Sequence, residues 1–278
     1  MTLSEINIQI NGAAQSLSVA PLERLSEVLR QHGYTGTKVG CDAGDCGACS
    51  VIIDGELACA CLVPAAQVNG CSVETVEGLA NKTQFSALQQ SFARHGAAQC
   101  GICTPGMLMA ATQLVTHTPS PTKAQVEDAL GGVLCRCTGY QKIIDAVVNV
   151  GEAGLQQNLP APGAAIGAPV ERLDGISKIN GTDQFAADVI PADALRLRLV
   201  RSPEHSADFT FGDITGWVEA NAGIEAVFTS ADVPGKNCFG VIRPFADQPV
   251  FAESFTRFKG EAVAAVVGTA TAMKALDL

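Results

Sequence analysis

Val39-Gly40-Cys41-Asp42-Ala43-Gly44-Asp45-Cys46-Gly47-Ala48-Cys49 carries three cysteines at C-x4-C-x2-C spacing, and Cys61 follows after eleven further residues. Four thiolates, three on one loop and a fourth beyond the next strand pair, can converge on a [2Fe-2S] cluster, and this spacing is one that such clusters use. The side chains between the cysteines are short, as a loop wrapped round an inorganic cluster requires. Gly44 and Gly47 can take unusual backbone angles and bring N–H groups close to bridging sulfides. Zinc loops favour short C-x2-4-C pairs and stand as the second reading; four ordinary buried cysteines are the third.

Working outward, Ile6, Ile8 and Ile10 alternate with polar residues up to Asn11-Gly12, a two-residue turn, and Leu17 and Val19 resume the alternation, so a hairpin precedes the loop. Pro21 opens a helical pattern with Leu22, Leu25, Val28 and Leu29 on one face, closed by Gly33. After the loop, Ser50 to Ile53, the turn Asp54-Gly55, a strand from Glu56 and a last one around Val73 to Val76 complete a small α+β unit over residues 1–79. The period then becomes helical over 80–154. Phe85, Leu88, Gln89 and Phe92 suit one helix, and a capping Thr104 with Pro105 opens Met107 to Val115. Thr122 opens a third with Val126, Ala129 and Leu130, and Ile143, Ile144, Val147 and Val148 carry a fourth, which together suggest a four-helix bundle. The proline-bearing, uncharged run from Leu159 to Pro169 has a linker's composition, giving a linker over 155–168. Beyond it, over 169–278, Leu195, Leu197 and Leu199 alternate with arginines and Glu261 to Val267 forms an apolar run, which reads as mixed α/β.

The helical region holds a second cysteine group, Cys100-Gly101-Ile102-Cys103 and Cys135-Arg136-Cys137. The first pair sits at the start of the helix opened by Thr104-Pro105, where the helix dipole favours thiolates, and the second precedes the last helix, begun near Gly139-Tyr140. Two helix starts thus face one another, each with two thiolates. On spacing alone zinc and [2Fe-2S] stand equal here. Cys59, Cys71 and Cys238 read as small buried hydrophobes, Met107 and Met109 as core, and the four histidines show no ligand spacing. No phosphate-binding glycine motif occurs.

The whole composition agrees with a metal-centred reading. Of 11 cysteines in 278 residues, ten lie at or before Cys137. Met1 to Glu5 show no basic segment leading into an apolar one, so a disulfide framework is not expected and the expected location is cytoplasmic, or periplasmic if a partner carries the export signal. The net charge of -10 argues against nucleic acid, and the 47% hydrophobic content, without a long uninterrupted apolar run, argues against both disorder and a transmembrane segment.

Val39 to Cys49, Cys61, Gln99-Cys100-Gly101-Ile102-Cys103-Thr104-Pro105-Gly106 and Cys135-Arg136-Cys137-Thr138-Gly139-Tyr140 together resemble the iron-sulfur portion of the molybdenum hydroxylases, the xanthine dehydrogenase and aldehyde oxidoreductase family. The resemblance implies a β-grasp ferredoxin-like domain with one [2Fe-2S] cluster on Cys41, Cys46, Cys49 and Cys61, and a helical domain with a second on Cys100, Cys103, Cys135 and Cys137. It also implies that Gln99 and Cys137 lie against a molybdopterin held by a large partner subunit. Asp174 to Gly181, Arg201-Ser202-Pro203 and Lys259 to Ala264 are similar to the opening of that subunit. The family's chemistry then implies an electron-transfer component, not catalytic alone, that serves oxidation of an aldehyde or N-heterocycle and delivers electrons to a flavin (FAD), a haem cytochrome or a ferredoxin. A stand-alone ferredoxin-type carrier with a C-terminal docking domain is the alternative, and a zinc-stabilised interaction module the third.

Overall fold

The alternating isoleucines form strand β1 (Ser4–Ile10), which pairs antiparallel with β2 (Ala13–Val19) across Asn11 and Gly12, both at positive φ. The computed structural model describes residues 3–80, 86–151, 160–168 and 170–276, so the expected roles of Phe85, Leu159 and Pro169 lie outside the described residues. Helix α1 (Leu25–Gln31) buries Leu25, Val28 and Leu29. It begins four residues later than Pro21, and Leu22 is exposed. The reason is a competing partner: Arg24 keeps an extended backbone in a bridge with Pro64, and the Leu25 N–H donates to the Val63 carbonyl at 2.8 Å.

Strands β3 (Ser50–Ile53) and β4 (Glu56–Cys59) form the second hairpin over Asp54-Gly55, and β5 (Ser72–Glu74) inserts between the hairpins, giving the order β2-β1-β5-β3-β4 with β1 and β5 parallel. Ile6, Ile8 and Ile10 of one face, with Val51 and Val73, pack on α1 in a single core that also holds Cys49 and Cys61. The cysteine loop therefore emerges from a sheet whose interior is fixed by aliphatic burial.

Helices α2 (Ala87–His95), α3 (Thr104–His117), α4 (Lys123–Leu130) and α5 (Gln141–Val148) follow. Ser86 and Thr122 cap α2 and α4, each in a reciprocal pair with a glutamine three residues on. Cys103 rather than Thr104 is the residue flanking α3, so Thr104 and Pro105 are its first two residues. Phe92, Met107, Met109, Val126, Leu130, Ile143 and Val147 form the core between these helices, and Ile179 of the short helix α6 (Gly175–Asn180) joins it.

Two compact units divide after Asp188, and residues 170–188 belong with the cysteine-bearing unit. The second unit comprises β6 (Arg196–Arg201), β7 (Ala207–Asp208), α7 (Ile214–Ala220), β8 (Ile224–Phe228), β9 (Phe255–Thr256), β10 (Ala262–Gly268) and α8 (Ala270–Ala275). Its antiparallel sheet runs β6-β10-β8 over a small core of Ile224, Val266 and Met273, while Leu195, Leu197 and Leu199 stay exposed. The chain is thus a mixed α+β protein, and among the described residues no helix is long and apolar enough to cross a membrane.

Candidate functional site

The first cysteine loop is turned by positive φ at Asp42, Gly44 and Gly47. These turns point three backbone N–H groups, of Ala43, Asp45 and Cys46, at Cys41 Sγ from 3.4, 3.3 and 3.3 Å. The donors from Ala43 and Cys46 pull the exposed Cys41 thiol down to about 7. Cys49 and Cys61 lie at the opposite extreme, 2% and 3% exposed, and burial pushes Cys49 up to about 12. The site therefore has a wet rim that favours thiolate through backbone dipoles and a dry floor that suppresses it until a cation arrives. Arg24 pairs with Asp42 and anchors the loop to the residue before α1. A Cβ on Gly44 would collide with Leu62, so the loop approaches the segment after β4 more closely than any side chain at that position permits.

The second group assembles from distant pieces. Cys103 flanks the first turn of α3, buried at 5%, and burial raises its thiol. The Cys135 N–H donates to Tyr140 Oη at 2.8 Å, and Cys135 Sγ lies 2.9 Å from Thr138 Oγ1. Burial acts against the Cys135 thiolate, but the Thr138 hydroxyl and N–H outweigh it and the thiol is lowered. Tyr140, at φ 67°, makes the turn that returns its ring toward Cys135 and starts α5. Cys137 Sγ stands 3.5 Å from Cys100 Sγ and 3.9 Å from Cys135 Sγ.

The two groups touch through backbone. The Leu134 N–H, one residue before Cys135, donates to the Cys46 carbonyl at 2.9 Å. A Cβ on Gly47 would strike the Gly132 carbonyl, and one on Gly106 the Gly47 carbonyl. Glycine at 47 and 106 is what lets the first loop sit directly on the start of α3 and the turn before Cys135.

The residues fit sulfur-ligated iron. All 11 cysteines are free. The sulfurs of the second group approach one another in close pairs, Cys137 with Cys100 and with Cys135. Thr104 Oγ1, adjacent to Cys103, is buried without a hydrogen-bond partner among the described residues. Gln99 and Cys100 are exposed at the rim of the second group. Met107 and Met109 are fully buried core.

Cys59 is packed against the sheet core, as expected of a small hydrophobe; its Sγ also lies 3.9 Å from the Gly44 carbonyl, and burial followed by the neighbouring Cys61 raises its thiol. Two cations escaped the sequence reading. Lys38 is 3% exposed and donates to the Asp183 carbonyl at 2.9 Å, with its ammonium 4.6 Å above the Phe185 ring. Arg172 donates to the Gln99 carbonyl at 2.5 Å and to that of Ala98 at 3.3 Å. For both cations the partners are far away in sequence, and no local pattern announces them.

Family models for a 2Fe-2S iron-sulfur cluster binding domain and a [2Fe-2S] binding domain match residues 8–71 and 75–148. The nicotine 6-hydroxylase small subunit of Paenarthrobacter nicotinovorans is 48% identical over 146 residues, 52% of this chain and 88% of that one. The aldehyde oxidoreductase of Megalodesulfovibrio gigas is 36% identical over 245 residues, 83% of this chain but only 27% of that protein's length. In structure, the aldehyde oxidoreductase from Desulfovibrio gigas aligns with a TM-score of 0.78 at 32% identity, covering 98% of this chain and 32% of that one.

Proposed function

This chain belongs to the molybdenum hydroxylases, as a [2Fe-2S]-binding component, and on that premise we propose that it conducts electrons one at a time between a molybdopterin site and an external acceptor. Cys41, Cys46, Cys49 and Cys61 hold one [2Fe-2S] cluster within a β-grasp ferredoxin-like domain. Cys100, Cys103, Cys135 and Cys137 hold another within a four-helix domain. When bound, each cluster supplies a one-electron redox couple whose potential follows hydrogen bonding and exposure.

The observation that carries this reading is the backbone bridge between the two groups, the Leu134 N–H on the Cys46 carbonyl at 2.9 Å. It joins a cysteine of the first group to the neighbour of a cysteine of the second through one hydrogen bond. The remaining residues divide two tasks. The N–H groups of Ala43, Asp45 and Cys46 hold negative charge on Cys41, and Thr138 does the same for Cys135. Gly44 and Gly47 let the first loop close over its cluster, and the buried Cys49, Cys61 and Cys103 keep water from the inner side of each site.

Oxidation of the substrate, an aldehyde or N-heterocycle, falls to a large molybdopterin-bearing partner, with Gln99 and Cys137 facing the pterin. Residues 169–278 correspond to the opening of such a subunit, and the exposed Leu197 and Leu199 of its sheet, with Leu195 just before it, supply an apolar face for the partner to cover. A flavin (FAD), a haem cytochrome or a ferredoxin takes the electrons at the exposed Cys41 rim. Anaerobic reconstitution of the full chain tests this. About four irons and four labile sulfides per chain, two distinct electron-paramagnetic signals on reduction and no hydroxylase turnover without the partner are expected. Zinc in place of iron, or turnover by the chain alone, overturns it.

A further inference from the structure

Residues 170–188 are fastened to the cysteine-bearing unit at both ends. At one end, Asp188 is buried between Arg30 and Lys38. Gly181 lies against Gly36, Val76 and Glu77, where a Cβ would not fit. At the other, Ile179 enters the helical core, its carbonyl accepts from Gln89 at 2.9 Å, and the Lys178 stem covers Gly101, which sits at φ 92°. Arg172, itself braced by a forked ion pair with Asp174, grips the two carbonyls immediately before Cys100.

We propose that Arg172 is a positioning residue for the second cysteine site: its guanidinium fixes the Ala98–Gln99 backbone so that Cys100 is presented in one geometry. Two other sulfurs there have supports of their own: Cys103 is locked by burial at the start of α3, and Cys135 by Tyr140 and Thr138. Cys137 is exposed and lies 3.5 Å from the equally exposed Cys100, so its placement follows that of Cys100. Arg172 and the Lys178 stem clamp the turn on either side of Cys100. A guanidinium suits this role because its planar fork engages two carbonyls and a carboxylate at once, which an ammonium does not.

The inference rests on the [2Fe-2S] reading above, and reduced full-length chain examined by paramagnetic resonance and redox titration separates the two. In Arg172→Met, with iron and sulfide content intact, one of the two signals is expected to broaden. Because a nearby cation favours the reduced cluster, the reduced-to-oxidised ratio of that cluster at fixed potential should also fall about tenfold, a shift of about 59 mV for one electron. Arg172→Lys restores the charge but not the fork, so the ratio should recover while the broadening persists. Two unchanged signals in Arg172→Met, or full recovery of the line shape in Arg172→Lys, overturn the proposal. If Arg172→Met fails to fold, Asp174→Asn, which loosens the fork while keeping the arginine, decides by the same line width: broadening supports the proposal and an unchanged signal overturns it. Absence of either signal from the unsubstituted chain strikes instead at the cluster assignment.

Discussion

At the first cysteine site one loop carries three of the four sulfurs, and its own N–H groups orient Cys41. At the second, Cys103 and Cys135 are separated by the whole of α3 and α4, and only helix packing brings them together. The first site is thus encoded locally, in glycine turns and spacing, and the second in tertiary burial. Disturbance should therefore travel differently: core damage in the helical half should dismantle the second site while leaving the first loop's geometry in place. Phe92, fully buried among the four helices, gives the strongest test. Phe92→Ala should cost about 3 to 5 kcal/mol, measured by denaturant unfolding, and remove one paramagnetic signal well before the other. Simultaneous loss of both would mean that the halves are one cooperative element.

Gly47 tests the joint between the sites. At φ 65°, with the Gly132 carbonyl and Val133 where a Cβ would stand, Gly47→Ala should cost about 2 to 4 kcal/mol from left-handed strain and overpacking together. Unlike the Phe92 variant, it should perturb both signals, because the same residue shapes the first loop and seats the turn before Cys135. A fall in the thermal midpoint with one signal untouched would break this account of the joint.

Tyr140→Phe is a smaller probe of the second site alone. It deprives the Cys135 N–H of its acceptor and should cost about 1 kcal/mol of stability. Only one of the two signals should move. A shift in both would show that the bridge from Leu134 to Cys46 transmits small displacements as well as contact.

The same contrast explains what could be read from the chain. Asn11-Gly12 and Asp54-Gly55 declare their hairpins because both residues of each turn need positive φ, and the C-x4-C-x2-C loop is legible because all its determinants lie within a few residues. The starts of α4 and α5 were equally local, carried by Thr122 and the Gly139-Tyr140 turn. The late start of α1 was not, because Arg24 finds its bridge partner at Pro64, forty residues on. Nor was the attachment of 170–188 to the cysteine-bearing unit. Its determinants, Lys38 against the Phe185 ring and the Asp188 carboxylate, and Arg172 against the Gln99 carbonyl, are long-range contacts of cationic side chains, which no periodicity records.

The gentlest probe compares two sulfurs of the first site in metal-free chain. Cys41 is held at about 7 by backbone donors, while burial holds Cys49 at about 12, against an ordinary thiol value of 9.0. Because the thiolate is the nucleophile, alkylation of Cys41 should rise through about pH 7 and level off above it, while Cys49 stays unreactive over the same range in folded chain. Peptide mass mapping after a short pulse of iodoacetamide reads both positions at once. The associated stability runs in opposite directions. The lowered Cys41 contributes stability that is complete above the unfolded thiol value and fades as the pH falls through about 7. The raised Cys49 contributes below that value and is lost as the pH climbs toward about 12. Equal alkylation of the two cysteines at neutral pH would show that the loop does not hold its turned backbone without metal, and the first site would then be no more self-sufficient than the second.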